Sequence, residues 1–192
     1  MITALANRIA DFIYSKNNLL IDERDIYVYG YEIIISSGIT FLLLIVTGLL
    51  FGKLTEAIAF FLVFYLLRRR TGGYHADTYL KCNLIFELNV ILAMIAASVN
   101  IVFYAKTVIN SVSFLLYLIV AFIKAPASNP DKPIPKEMQK KHKTWAIGLA
   151  MFFEILSVVV FDIGSISTCI SLAMVSTAFA MMINSEDRRK SI

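Results

Sequence analysis

The sequence predicts an all-α, polytopic membrane fold, and three observations carry that prediction. Of its 192 residues, 58% are hydrophobic and 17% are charged, where soluble domains are roughly 45–50% apolar. Mean hydropathy is +0.73. The apolar residues gather in runs close to the roughly 20 residues that a helical crossing needs, with the charges gathered between them. A single helical membrane domain over 1–192 accounts for the length. The formal charge of +4 is small and confined to particular connections, which points to membrane orientation and acidic partners rather than nucleic acid.

In residues 1–30, Ile2, Leu5, Ile9 and Ile13 are spaced by three and four, with Asn7, Arg8, Asp11 and Lys16 between them. That period predicts an amphipathic helix, either on the membrane surface or against the bundle's own loops. The first long apolar run starts only after this mixed segment, so no cleavable signal peptide is expected. About six spans are expected, over 33–51, 54–67, 84–105, 108–123, 145–161 and 166–183, with turns at Gly52-Lys53, Lys106-Thr107 and 162–164. The second is short, about 20 Å against a hydrocarbon core of about 30 Å. Either Arg68, Arg69 and Arg70 snorkel from a helix that continues, or the chain after them enters a wet notch walled by protein. Residues 124–144 contain all four prolines, Pro126, Pro130, Pro133 and Pro135, and are expected to be a stiff extended connection without regular helix.

Lysine and arginine fall 16 to 2 on alternate connections. Because positive residues stay in the cytoplasm, both termini, residues 68–83 and the proline-rich loop are expected there.

The chemistry concentrates in residues 68–83, a polar, glycine-broken island between apolar runs that holds His75 and Cys82. Such a stretch is costly in hydrocarbon unless it meets water or has a task. A thiol attacks carbonyls as its thiolate, and an imidazole alongside can take the proton and later deliver it to a leaving amine. Seven residues is nearly two helical turns, which would put the pair on one face but about 10.5 Å apart along a straight helix. A departure from helix between them is therefore expected, and Gly72-Gly73 permits a turn just before the histidine. No third catalytic residue is assigned among Asp77, Asn83, Glu87 and Glu154. A zinc site using His75, Cys82, His142 and a carboxylate is the rival, although no close ligand pair of the Cys-x-x-Cys kind exists. Cys169 lies in an apolar run and reads as a small buried hydrophobe, so no disulfide framework is expected.

Arg68-Arg69, then Gly73-Tyr74-His75-Ala76, then Cys82, with Ala125-Pro126 and Lys132-Pro133-Ile134-Pro135 in the later basic loop, resemble the accessory gene regulator B family of Gram-positive bacteria. The likeness runs from the amphipathic segment through the last span. It implies a cysteine endopeptidase of the bacterial plasma membrane, with a cytoplasmic site, that matures a quorum-sensing propeptide. It also implies that His75 and Cys82 are the catalytic pair, that Arg68 and Gly73 support function with Arg69 beside them, and that the protein is a homodimer. No cofactor or metal is implied. The substrate would carry an amphipathic leader and an acidic carboxyl-terminal tail. Lys136, Lys140, Lys141 and Lys143 could hold that tail, or could simply obey the orientation rule. The alternative class is a non-enzymatic transporter or signalling partner for a small peptide, with the carboxylates of the spans lining a path.

Overall fold

The computed structural model describes residues 2–17, 24–73, 76, 78–127, 135–163 and 165–183. These form seven helices: α1 (Ile2–Asn17), α2 (Arg24–Leu50), α3 (Leu54–Thr71), α4 (Tyr79–Ala97), α5 (Phe103–Lys124), α6 (Lys136–Val159) and α7 (Ile166–Met182). The fold is all-α, as expected. By length and composition, α2, α4, α5 and Glu137–Val159 of α6 can each cross a membrane, and Ile166–Met182 is a shorter apolar helix. Large apolar side chains such as Leu42, Leu92, Ile119 and Ile155 face outward along these helices, a surface suited to lipid and not to water.

The chain divides into two compact units, Met1–Leu43 with Ala76–Glu87, and Leu44–His75 with Leu88–Ile192. In the first, Arg24 at the start of α2 donates to Asp11 of α1 at 2.7 Å and to Asn7 at 2.9 Å. The beginnings of α2 and α4 run parallel. Tyr79 donates to Glu32, and Ser36 donates to Asn83, so a four-residue step on one helix matches a four-residue step on the other.

In the second unit α7 is central, packed on α3, α5 and α6, with Thr168, Cys169, Ala173, Met174, Ala178 and Met181 buried. Its small residues let neighbouring backbones come close. α5 and α6 are antiparallel along their whole length: Lys106 donates to the Phe161 carbonyl, Asn110 to Ser157, Tyr117 to the Ala146 carbonyl and Lys143 to the Phe122 carbonyl. At one end the chain leaving α3 meets the chain leaving α5, where the Ala127 N–H donates to the Thr71 carbonyl at 2.7 Å. The last turn of α7 reaches the same end, its Ala180 carbonyl lying against Gly73.

Several boundaries differ from the sequence expectation. The first span starts at Arg24 instead of 33, because Arg24 is tied to α1 and nothing in 24–32 breaks a helix. The third runs 79–97 and not 84–105. Ser98 turns the chain, its hydroxyl bonded to the Met94 carbonyl at 2.8 Å. Lys106 and Thr107 are consequently helical, in α5, and not a turn. A lysine suits that place because its ammonium reaches the Phe161 carbonyl just past the end of α6. The proline-rich connection ends at Pro135, which precedes the first turn of α6 with φ −52° and ψ 138°. Proline opens a helix readily even though it breaks one from inside, so 136–144 are helical and not extended.

Candidate active site

Cys82 sits, partly exposed, in the first turn of α4. Thr78 caps that turn: its hydroxyl accepts from the Lys81 N–H at 3.3 Å and its carbonyl from the Cys82 N–H at 3.1 Å. Immediately after the cysteine, Asn83 is buried, accepting from the Ser36 hydroxyl at 3.0 Å. Tyr79 donates to Glu32 at 3.1 Å one turn earlier. Two polar rungs, spaced one turn apart, thus fix the rotation and depth of the helix that carries the sulfur. Asn83 is one of the four candidates that the sequence offers for a third catalytic residue. In the structure Tyr79 and Asn83 anchor α4 within this unit, through Glu32 and Ser36, two residues that the sequence does not single out. A glutamate and a serine inside a helix that is otherwise apolar were the available signal, since such groups seek partners.

Residues 72–78 separate the two helices. Ala76 and Thr78 stand outside helix, so the chain does not run from 75 to 82 as one helix. His75, Tyr74 and Asp77 lie outside the described residues, and His75 belongs to the second unit and Cys82 to the first. Among the described residues no three of His, Cys, Asp and Glu are gathered as metal ligands.

On the other side of this connection α3 continues through the arginines to Thr71, the first of the two arrangements the sequence allowed. The Arg68 guanidinium lies 5.7 Å from the Phe64 ring centroid and that of Arg70 lies 5.3 Å from Trp145 on α6. Arg69 is exposed. Stacking lets both charged heads end against ring faces at the helix terminus while their stems cover apolar surface. Gly72 and Gly73 then adopt φ values of +66° and +116°. A methyl on Gly72 would lie 2.5 Å from the Ala127 carbonyl oxygen, and one on Gly73 would lie 2.6 Å from that of Ala180. Both obstacles are backbone, so neither can swing aside. The glycine motif and the Ala125-Pro126 motif, far apart in sequence, therefore meet through a parallel bridge between Gly72 and Ala127. Trp145, Ala127 and Ala180 carried no chemical signal, which is why only the fold reveals them.

The lysines of the basic segment are all on α6. Lys140 and Lys141 are exposed, whereas Lys143 donates to the Phe122 carbonyl and stands over the Phe122 ring at 5.6 Å. Lys136 opens the helix, and its side chain is not among those described. Glu154, inside α6, has a buried Oε2 without a hydrogen-bond partner among the described residues. Cys169 is fully buried in α7, as expected of a small hydrophobe.

The accessory gene regulator B family profile matches residues 6–183. The chain is 27% identical to an AgrB-like protein of Clostridium perfringens (strain 13 / Type A) over 172 residues, which cover 84% of this chain and 79% of that protein. It is 32% identical to an AgrB-like protein of Listeria monocytogenes serovar 1/2a over 139 residues, covering 71% and 67%. To the accessory gene regulator protein B of Staphylococcus aureus (strain Newman) it is 29% identical over 99 residues, covering 52% and 51%. No solved structure matches. With nearly the whole chain inside the matched region, from the amphipathic first helix to the end of α7, the protein belongs to the accessory gene regulator B family.

Proposed function

We propose that this protein is a membrane cysteine endopeptidase that trims a quorum-sensing propeptide and promotes its cyclisation, with Cys82 as nucleophile and His75 as general base and acid. The observation that carries this reading is the setting of Cys82: a part-exposed thiol on a capped, doubly anchored first helical turn, seven residues after His75 in the sequence. A rigidly held nucleophile suits a reaction in which the thiol must meet the substrate carbonyl in one orientation.

In the first step His75 accepts the Cys82 proton, the sulfur adds to the carbonyl carbon at the substrate's cleavage point, and the C–N bond breaks as the imidazolium returns that proton to the departing amine. The product is an acyl thioester on Cys82 and a free carboxyl-terminal tail. A thiol or hydroxyl within the substrate then attacks the thioester. His75 takes its proton and restores it to the Cys82 sulfur, and a thiolactone or lactone ring is released. Exchange between thioesters is nearly thermoneutral, but making one from an amide is uphill, so the tail's removal must draw the sequence forward. Lys140 and Lys141, exposed on α6, suit an acidic tail, and the site and both termini face the cytoplasm in this reading.

Co-expression with a candidate propeptide tests the assignment. Cys82→Ser and His75→Ala each abolish cleavage while the membrane protein accumulates normally. Continued cleavage by Cys82→Ser would overturn the nucleophile, and peptide export by both variants without any cleavage would favour the transporter class.

A further inference from the structure

An open crevice of about 360 Å³ lies between α1 and α2, lined by Ile2, Ala4, Leu5, Arg8, Ile35 and Ile39. All six residues belong to the first compact unit, and five of the six are apolar. The volume is near the lower end of the roughly 300–1,000 Å³ typical of small-molecule sites. We propose that this crevice binds an anionic phospholipid, with one acyl chain against the isoleucines and the phosphate at Arg8.

Charge decides the occupant. Asp11 is the one carboxylate in α1 and is held by Arg24 at 2.7 Å. Among the described residues no carboxylate pairs with Arg8, which is exposed at the apolar crevice. A guanidinium with no carboxylate partner among the described residues, beside an apolar slot, fits a ligand with a negative head and a hydrocarbon body.

Depth agrees with charge. The charged start of α2, with Arg24, Asp25 and Glu32, gives way at Ile33 to sequence without a charged residue up to Leu50. Ile35 and Ile39 therefore occupy the first two turns of that run, the level at which headgroups give way to acyl chains. Arg8, sharing their crevice, stands where a lipid phosphate would stand. Leu5 and Phe12 are exposed on the same helix, so α1 also offers apolar contact to the surrounding bilayer. The site is separate from the thiol chemistry and does not depend on it.

The test is native mass spectrometry of the full-length protein released from detergent, titrated with phosphatidylglycerol and with phosphatidylcholine of identical acyl chains. One phosphatidylglycerol is expected to be retained about fivefold better than phosphatidylcholine, the preference that a single interfacial cation supplies. Arg8→Gln removes the preference, Arg8→Lys keeps most of it, and Ile39→Trp, which fills the crevice, lowers retention of both lipids. Equal retention of the two lipids by the unaltered protein overturns the proposal, as does a preference that survives Arg8→Gln.

Discussion

Gly73 shows how much one missing side chain can determine. Its φ of +116° is poorly accessible to residues with a Cβ, and the carbonyl of Ala180 stands 2.6 Å from where that atom would be. Gly73→Ala is therefore expected to lower stability by on the order of 2 kcal/mol, read as a fall in melting temperature in detergent. Because the residue lies two positions before His75, peptide processing should fall further than the folded fraction does. A variant that keeps both its melting temperature and its processing would show that the close approach to α7 is dispensable. On the other side of the connection, Tyr79→Phe removes the hydroxyl that donates to Glu32. The expected cost is about 1 kcal/mol, with a larger loss for Asn83→Leu, which strands the buried Ser36 hydroxyl. If either variant processes peptide at the normal rate, the anchoring of α4 does not position Cys82.

Between helices the informative contacts are polar and few. Asn110 on α5 donates to Ser157 on α6 at 3.0 Å and accepts from Ser171 on α7 at 2.7 Å, so one amide joins three helices inside an apolar bundle. Asn110→Leu leaves two hydroxyls without that partner, and a loss of about 1–2 kcal/mol is expected. Thermal unfolding of the purified variant checks it, and an unchanged midpoint would reduce the network to incidental contacts. The lysines of α6 separate by the same reasoning. Lys143 is bonded to the Phe122 carbonyl near the end of α5, so Lys143→Gln should lower the melting temperature. Lys140→Gln with Lys141→Gln should leave it unchanged and raise KM for an acidic-tailed peptide severalfold. An unaltered KM in the double variant would mean that these charges serve orientation alone.

For the molecule as a whole, the ends of the second unit differ in charge. The contacts of Thr71 with Ala127, Gly73 with Ala180, Arg70 with Trp145 and Lys143 with Phe122 gather the ends of α3, α5 and α7 with the start of α6. Arg68, Arg69, Arg70, Lys140, Lys141 and Lys143 all lie at that end. Under the proposed topology, which follows the positive-inside rule, this is the end expected to face the cytoplasm. Reporter domains fused after Lys53 and after Asp162 should both report the outside, and a cytoplasmic signal from either would invert the arrangement. A charged cluster held at one end of a packed bundle resists inversion better than the same residues on independent loops, since all must cross together.

By itself, the sequence determined the membrane class, the amphipathic first helix and the polar island with its thiol and imidazole. Each of these follows from a property local in the chain: hydropathy over a window, a helical period, or the coincidence of two reactive residue types within seven positions. Tertiary structure alone decided where helices stop, because Lys106 is tolerated in α5 only through the Phe161 carbonyl and 136–144 can coil once Pro135 has opened the helix. It alone brought Gly72 to Ala127, Gly73 to Ala180, Glu32 to Tyr79 and Ser36 to Asn83. Those pairs are 47 or more residues apart, and for Ala127 and Ala180 it is the backbone carbonyl that meets the glycine. A carbonyl is common to every residue, so no pattern of side chains could have announced which one would be the neighbour.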